Sequence, residues 1–155
     1  MRVLISAVGR WKAGPTRDLY EDYRQRLTWP VELKEVEEKR ALPDAQLKIR
    51  EAELLLATLP RDRGGLVLVA LDENGQNLGS EPFARRIGKW RDEGRGMIAF
   101  LIGGAAGHGG AVLEAAQFKL ALGAMTWPHL MVRGMLMEQL YRAQQILAGH
   151  PYHRP

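Results

Sequence analysis

Gly65-Leu66-Val67-Leu68-Val69-Ala70-Leu71-Asp72-Glu73-Asn74-Gly75 is the stretch that decides the fold. From Leu66 to Leu71 the apolar residues run without alternation, and a polar turn signal closes them. A short unbroken apolar run bounded this way reads as a strand covered on both faces, the usual state of a strand in a parallel sheet. Working outward, Met97–Ile102 repeats the pattern. Val3–Val8 is a β-branched run ended by Gly9, Val31–Val36 alternates weakly, and Leu120–Thr126 reads as a further buried strand. Helical signals fill the gaps. Thr16–Leu27 is charged and amphipathic, and Asp44–Leu59 carries Leu47, Ala52, Leu55, Leu56 and Leu59 near helical spacing before Pro60. Ser80 is an N-cap candidate for a helix to about Glu93, with Pro82 in its first turn. Gly110–Lys119 reads as a short helix. Val132, Met135, Leu136, Gln139, Leu140, Ala143, Ile146 and Leu147 mark one face of a long last helix, ended at His150 by Pro151. Alternating strands and helices predict an α/β fold, a single domain over residues 1–155 with a mostly parallel sheet flanked by helices. Repeats, low-complexity tracts and linkers are absent.

Composition narrows the function classes. The chain has 155 residues, 46% hydrophobic and 26% charged, which suits a globular protein with a continuous core. There is no cysteine, so disulfides, thiolate nucleophiles and cysteine-based zinc sites are excluded, and no metal is expected. Met1–Gly9 is too short and too soon broken for a signal peptide, and no apolar run approaches the roughly 20 residues that span a bilayer. A cytoplasmic enzyme is the expectation. The net charge of +4 permits an anionic partner such as RNA without demanding one.

Loops rich in glycine or polar residues follow the core strands: Leu71–Gly75, Gly103–Gly110 and Gly123–His129. Open α/β sheets bind ligands at that edge. Each loop alone reads as a tight turn; their convergence points to a pocket of backbone amides able to read an adenine edge and a ribose. Neither a Walker motif nor a dinucleotide fingerprint is present. The expected cofactor-binding residues are Leu71, Gly103, Gly104, Gly123, Ala124, Met125, Thr126, Trp127 and Pro128, and a side chain at Gly104 is expected to fill ligand space.

The C-terminal residues Tyr152, His153 and Arg154 can stack on a base, move a proton and grip a phosphate; the alternative is a solvated tail. His153 is the candidate base, and His129 the second candidate, read alternatively as a residue capping the helix start. Arg142 stands four residues after Glu138, the favourable order for a helix ion pair. Arg133 lies in a first helical turn, where its charge opposes the helix dipole, which points to an outside anion: an RNA phosphate or a partner's carboxylate. Arg133, His129 and Arg154 are therefore the expected substrate contacts. Arg85, Arg86, Lys89, Arg91 and Arg95 form either a solvated helix face or an RNA-docking surface.

The chain resembles the ribosomal large-subunit methyltransferase H family, small SPOUT-class enzymes, over essentially its whole length. The resemblance rests on Leu71-Asp72 with Gly75, Ser80-Glu81-Phe83-Ala84, Phe100–Gly104, Met125–His129, Val132-Arg133, Glu138–Ala143 and His150–Arg154. Ala105–His108 and Leu130 depart from the family pattern, and His108 is given no role. The resemblance implies S-adenosylmethionine as methyl donor, a C-terminal trefoil knot that builds its site, and a homodimer. It also implies methylation of N3 of a pseudouridine in the helix 69 loop of 23S ribosomal RNA, in the assembled ribosome or large subunit. The alternative is a non-catalytic nucleotide-binding or ribosome-associated assembly factor of the same fold.

Overall fold

A computed structural model describes residues 1–155. Its strands β1 (Arg2–Val8), β2 (Val31–Val36), β3 (Leu66–Asn77), β4 (Met97–Ile102) and β5 (Phe118–Ala121) form one sheet, ordered β2-β1-β4-β3-β5, with every pairing parallel. The helices are α1 (Pro15–Arg26), α2 (Asp44–Ala57), α3 (Ser80–Asp92), α4 (Gly110–Ala115) and α5 (His129–Leu147). The period of two in each strand distributes side chains between two cores. Val3, Ile5, Val67, Val69, Ile98 and Phe100 face α1, α3 and α5, meeting Tyr20, Phe83, Ile87, Leu136 and Leu140. Leu4, Leu66, Leu68, Ala99 and Leu101 face α2 and α4, meeting Ala52, Leu55 and Val112. Because both faces are covered, the central strands needed no polar alternation, and their sequences read as unbroken apolar runs.

Four elements differ from the sequence reading. The Asp72–Gly75 segment does not end β3. Leu71 and Gln76 both register against Leu120, so the four residues between them loop out of a strand that resumes to Asn77. Glycine is required at 75 by close approach: a Cβ there would stand 2.7 Å from the Lys119 carbonyl group. The last strand is Phe118–Ala121, not Leu120–Thr126, since Gly123 turns the chain at φ +96° and its amide donates to Asn77 Oδ1 (3.0 Å) instead of to a ladder. The short fourth helix stops at Ala115, because Gln117 pairs with β3 through its own amide to the Leu68 carbonyl (2.9 Å). Ser80 is the first residue of α3 and not its cap. Gly79 occupies the cap, and the Ser80 hydroxyl meets Gln139 Oε1 at 2.8 Å.

The end of α5 also precedes its expected position. Gly149, at φ +71°, follows the C-cap Ala148; its amide bonds to the Ile146 carbonyl (3.1 Å) and the His150 amide to that of Gln145 (2.9 Å). This is a Schellman closure, which ends the helix two residues before Pro151 acts. No helix is long and apolar enough to cross a membrane.

Candidate active site

In the strand order, β4, β3 and β5 are neighbours, so the Asp72–Gly75 excursion of β3 and the loops leaving β4 and β5 stand side by side. They enclose a cavity of about 590 Å³, a common size for a small-molecule site. Leu71, Gly103, Gly104, Gly123, Met125, Thr126, Trp127 and Pro128 all line it, and Ile102, Leu120, Leu122 and Val132 complete its apolar wall. Ala124 is exposed on the same loop but does not line the cavity. Local bonds set the loops. Gly107 N–H donates to the Gly104 carbonyl (3.0 Å), and Trp127 Nε1–H to the Leu122 carbonyl (2.9 Å). The Thr126 hydroxyl donates to Glu73 Oε2 (3.2 Å), tying the third loop to the β3 excursion.

The role expected of Gly104 changes. A Cβ there would point away from the cavity, 3.0 Å from Val8 Cγ1 and 3.2 Å from Glu51 Oε2. Glu51 is buried beneath the loop, and burial pushes its carboxyl above the usual value of 4.5. Gly104 is thus glycine so that the loop can lie on α2. At Gly123 and Gly107, both with positive φ, nothing stands in the Cβ direction.

The sequence reading missed two features of the cavity. The first is its charge. Asp72 and Glu73 line it, and no lysine or arginine does. The second is His108. Its Nε2 lies 3.1 Å from the Leu101 carbonyl, so that nitrogen carries the hydrogen, and the buried Nδ1 has no partner. Burial first, against the pull of nearby carbonyls and Asp72, lowers its pKa below 6.5. A histidine inside a glycine loop was the available signal.

His129 begins α5 and lines the cavity beside Val132. Desolvation, and then the Arg133 charge, lower its pKa, so the ring is neutral at physiological pH. It packs against the Gly9 turn, where a Cβ would come within 3.2 Å of Nε2.

Arg133 does not face outward. It is fully buried; its Nη1 donates to Glu35 Oε2 (2.6 Å), its Nη2 to the carbonyls of Val8 (3.2 Å) and Gly9 (2.8 Å), and its guanidinium lies 4.5 Å from the Trp11 ring centroid. The anion inferred from the helix dipole is internal: Glu35, at the end of β2 and remote in sequence. The Arg133 expectation as a substrate contact is corrected accordingly.

The tail is docked, not solvated. Tyr152 OH donates to Glu138 Oε1 (3.2 Å), its ring packs edge-on to Tyr141 at 4.8 Å, and the Arg142 guanidinium sits 5.0 Å from its centroid. Arg142 pairs with Glu138, as the spacing predicted, and its Nη1 lies 3.0 Å from His153 Nδ1. Arginine only donates, so Nδ1 accepts and Nε2 carries the hydrogen, 3.8 Å from Glu81 Oε1. Burial first, then Tyr23 and Glu138, hold the Tyr152 phenol well above its usual pKa of 10.0. Arg154 is exposed. None of Tyr152, His153 and Arg154 lines the cavity of their own chain. On α3, Arg85 meets Glu81 (3.8 Å), Lys89 meets Glu93 (3.7 Å), Arg91 meets Asp92 (3.2 Å) and Arg86 lies 4.4 Å from the Phe118 centroid. Arg85, Lys89 and Arg91 thus belong to a solvated, self-paired face, while Arg95, beyond the end of α3, has no ion pair.

Residues 1–153 match a family model described as predicted SPOUT methyltransferase. The ribosomal RNA large subunit methyltransferase H of Paramagnetospirillum magneticum is 61% identical over 155 residues, covering 100% of both chains. The proteins of that name from Rhodospirillum centenum and Rhodospirillum rubrum are 59% and 56% identical over 154 residues, 99% of each chain. The five-stranded parallel sheet with its edge cavity, and the match along the whole chain, agree: the chain belongs to the SPOUT methyltransferase family, among the ribosomal RNA large subunit methyltransferase H proteins.

Proposed function

We propose that this chain, as a single SPOUT domain, methylates N3 of a pseudouridine in the helix 69 loop of 23S ribosomal RNA, using S-adenosylmethionine. The observation that carries the reading is the charge of the cavity. Its only charged lining groups are the carboxylates of Asp72 and Glu73. A nucleotide's phosphates would meet no cation there, whereas the sulfonium of S-adenosylmethionine carries a positive charge. The open Cβ directions at Gly107 and Gly123 and the unpartnered Nδ1 acceptor of His108 suit a nucleoside lying against backbone. This combination disfavours the non-catalytic nucleotide binder. The trefoil knot expected of the family would be built from these same C-terminal loops.

When bound, the sulfonium supplies an already activated methyl group, so the chain's own task is placement. Leu71, Ile102, Leu120 and Val132 exclude water, and the backbone of the Gly103–Gly107 and Leu122–Pro128 loops fixes orientation. His129, neutral at the rim, is available to the incoming base as a hydrogen-bonding partner. A second copy supplies the missing half. The tail residues stand apart from their own cavity, and a groove of about 660 Å³ beside α5, lined by Leu19, Tyr23, Leu78 and Met135, offers an apolar surface for a homodimer. In that dimer the tail of one protomer reaches the cavity of its partner. Arg154 grips RNA phosphate or base there, Tyr152 offers a stacking face, and His153 takes the N3 proton once Nδ1 is released from Arg142 or the tautomer reverses.

The test uses calorimetry with S-adenosylmethionine and methyl transfer to 70S particles, read by mass spectrometry of the RNA. Deleting Tyr152 to Pro155 should leave cofactor binding and dimerisation intact and lower transfer by orders of magnitude. Transfer at the wild-type rate would refute the role given to the tail, and a wild-type protein that ignores S-adenosylmethionine would refute the cofactor.

A further inference from the structure

The opposite edge of the sheet carries an unexplained feature. At the N-terminal ends of β1, β4 and β3, the three adjacent central strands, stand Arg2, Arg95 and, on the turn entering β3, Arg61 and Arg63. Backbone bonds hold these segments together. Arg2 N–H donates to the Gly96 carbonyl (2.9 Å), Met97 N–H to that of Gly65 (3.4 Å) and Leu66 N–H to that of Arg63 (3.0 Å). Neighbouring strands lie about 4.8 Å apart, so the strand ends bearing Arg2, Arg95 and Arg63 fall within roughly 10 Å of one another.

All four side chains are exposed, and none forms an ion pair. The nearby acids are engaged elsewhere: Asp62 Oδ1 accepts the Gly64 amide (2.9 Å), Asp92 pairs with Arg91 and Glu93 with Lys89. Most other arginines of this chain have found a carboxylate. Four that have not, brought to one edge from separate parts of the sequence, outnumber Asp62, the one carboxylate among them without a cation, and leave a net positive field. They are all arginine, whose planar fork binds phosphate in a bidentate manner and is weakly hydrated. No large apolar side chain is exposed among them, which separates this edge from a protein- or membrane-docking surface.

We propose that this rim, formed by Arg2, Arg61, Arg63 and Arg95, is a second RNA-phosphate docking surface, about 20 Å from the cavity along the strands. It rests on the reading of ribosomal RNA as substrate. A sequence-independent grip at this rim holds the enzyme on the ribosome while the cavity edge faces the target base. Phosphate contacts of this kind position a protein and carry no base specificity.

The experiment compares wild type with a variant carrying Arg2→Gln, Arg61→Gln, Arg63→Gln and Arg95→Gln. Binding to 70S particles is measured against salt concentration, with KM and kcat for methyl transfer, cofactor calorimetry and a thermal melt alongside. The variant should fold and bind S-adenosylmethionine as wild type does. Its KM for ribosomes should rise with kcat unchanged at saturation. The slope of log affinity against log salt should shallow by up to about 0.9 per lost phosphate contact. The matching quadruple lysine variant should recover most of the slope. Wild-type methylation with a slope and KM that the folded glutamine variant retains would overturn the rim and leave the substrate reading standing. A wild-type protein with no salt-dependent affinity for ribosomes would overturn both.

Discussion

Replacing Arg133 with methionine should destabilise this protein strongly, without any partner present. The guanidinium joins three parts of the chain. It belongs to the first turns of α5, bonds the carbonyls of Val8 and Gly9 at the end of β1 and pairs with Glu35 at the end of β2, all beneath the Trp11 ring. Methionine would keep much of the aliphatic volume and lose every polar contact. Breaking a buried ion pair by removing one partner costs about 3–5 kcal/mol. Here Glu35 keeps 22% of its side-chain surface exposed and still accepts the Trp11 amide at 2.9 Å, so water can relieve part of the loss. The low end, about 3 kcal/mol, is the expected cost. At about 2–4 °C per kcal/mol for a chain of this size, the melting temperature should fall by about 6–12 °C at fixed protein concentration. Glu35→Gln supplies the control. Removing Arg133 in that background should cost at least about 1 kcal/mol less than in wild type, because no carboxylate is left unpaired. Urea titration of the four proteins of the cycle reads both quantities. A loss under about 1 kcal/mol, or costs that simply add, would refute the internal pair.

The pair also sets an acid limit. Burial alone would raise the Glu35 pKa, but the Arg133 hydrogen bond and the Trp11 amide outweigh it, and the folded value lies below 4.5. A depressed carboxylate contributes stability above its unfolded pKa and loses it as pH falls through the folded one. The Glu35 contribution should therefore fade only below 4.5, and Arg133→Met should remove that part of the profile.

Two further outcomes follow from the cavity walls. His108 has a folded pKa below 6.5, so its contribution is complete above 6.5 and is lost as pH falls toward the folded value; His108→Leu should flatten melting curves over that range, and an unchanged acid slope would contradict the unpartnered neutral Nδ1. Gly109→Ala should cost about 1–3 kcal/mol by overpacking, since its Cβ would stand 2.6 Å from the Lys48 carbonyl oxygen where α2 meets the loop before α4; a urea midpoint equal to wild type would refute that close approach.

What the sequence disclosed, and what it withheld, divides by the range of the interactions. The central strands were legible because burial on both faces is written into each of them separately, as Leu66–Leu71 and Met97–Ile102 show. The Glu138–Arg142 pair was legible because it lies within one helical turn and a half. The course of Asp72–Gly75 was not, since its turn chemistry suits a strand end as well as an excursion, and only the Lys119 backbone beside Gly75 distinguishes them. Arg133 was misread for the same reason: a dipole argument sees the helix that carries the residue and not Glu35 on another strand. The tail chemistry was visible in its residue types, but its docking on Glu138, Arg142 and Tyr141 depends on the chain turning back at Gly149.

Net charge shows the limit most sharply. A surplus of +4 suggests a mildly basic surface everywhere, yet the fold sorts it. The cavity is lined by the carboxylates of Asp72 and Glu73 and by no lysine or arginine, while Arg2, Arg61, Arg63 and Arg95 are sent unpaired to the far rim. A parallel sheet does this without any special motif, because residues before every strand reach one edge and residues after every strand reach the other. The strands keep the carboxylates of the cavity and the arginines of the rim about 20 Å apart, beyond the Debye length of about 8 Å in physiological salt, so that each field acts on its own surroundings.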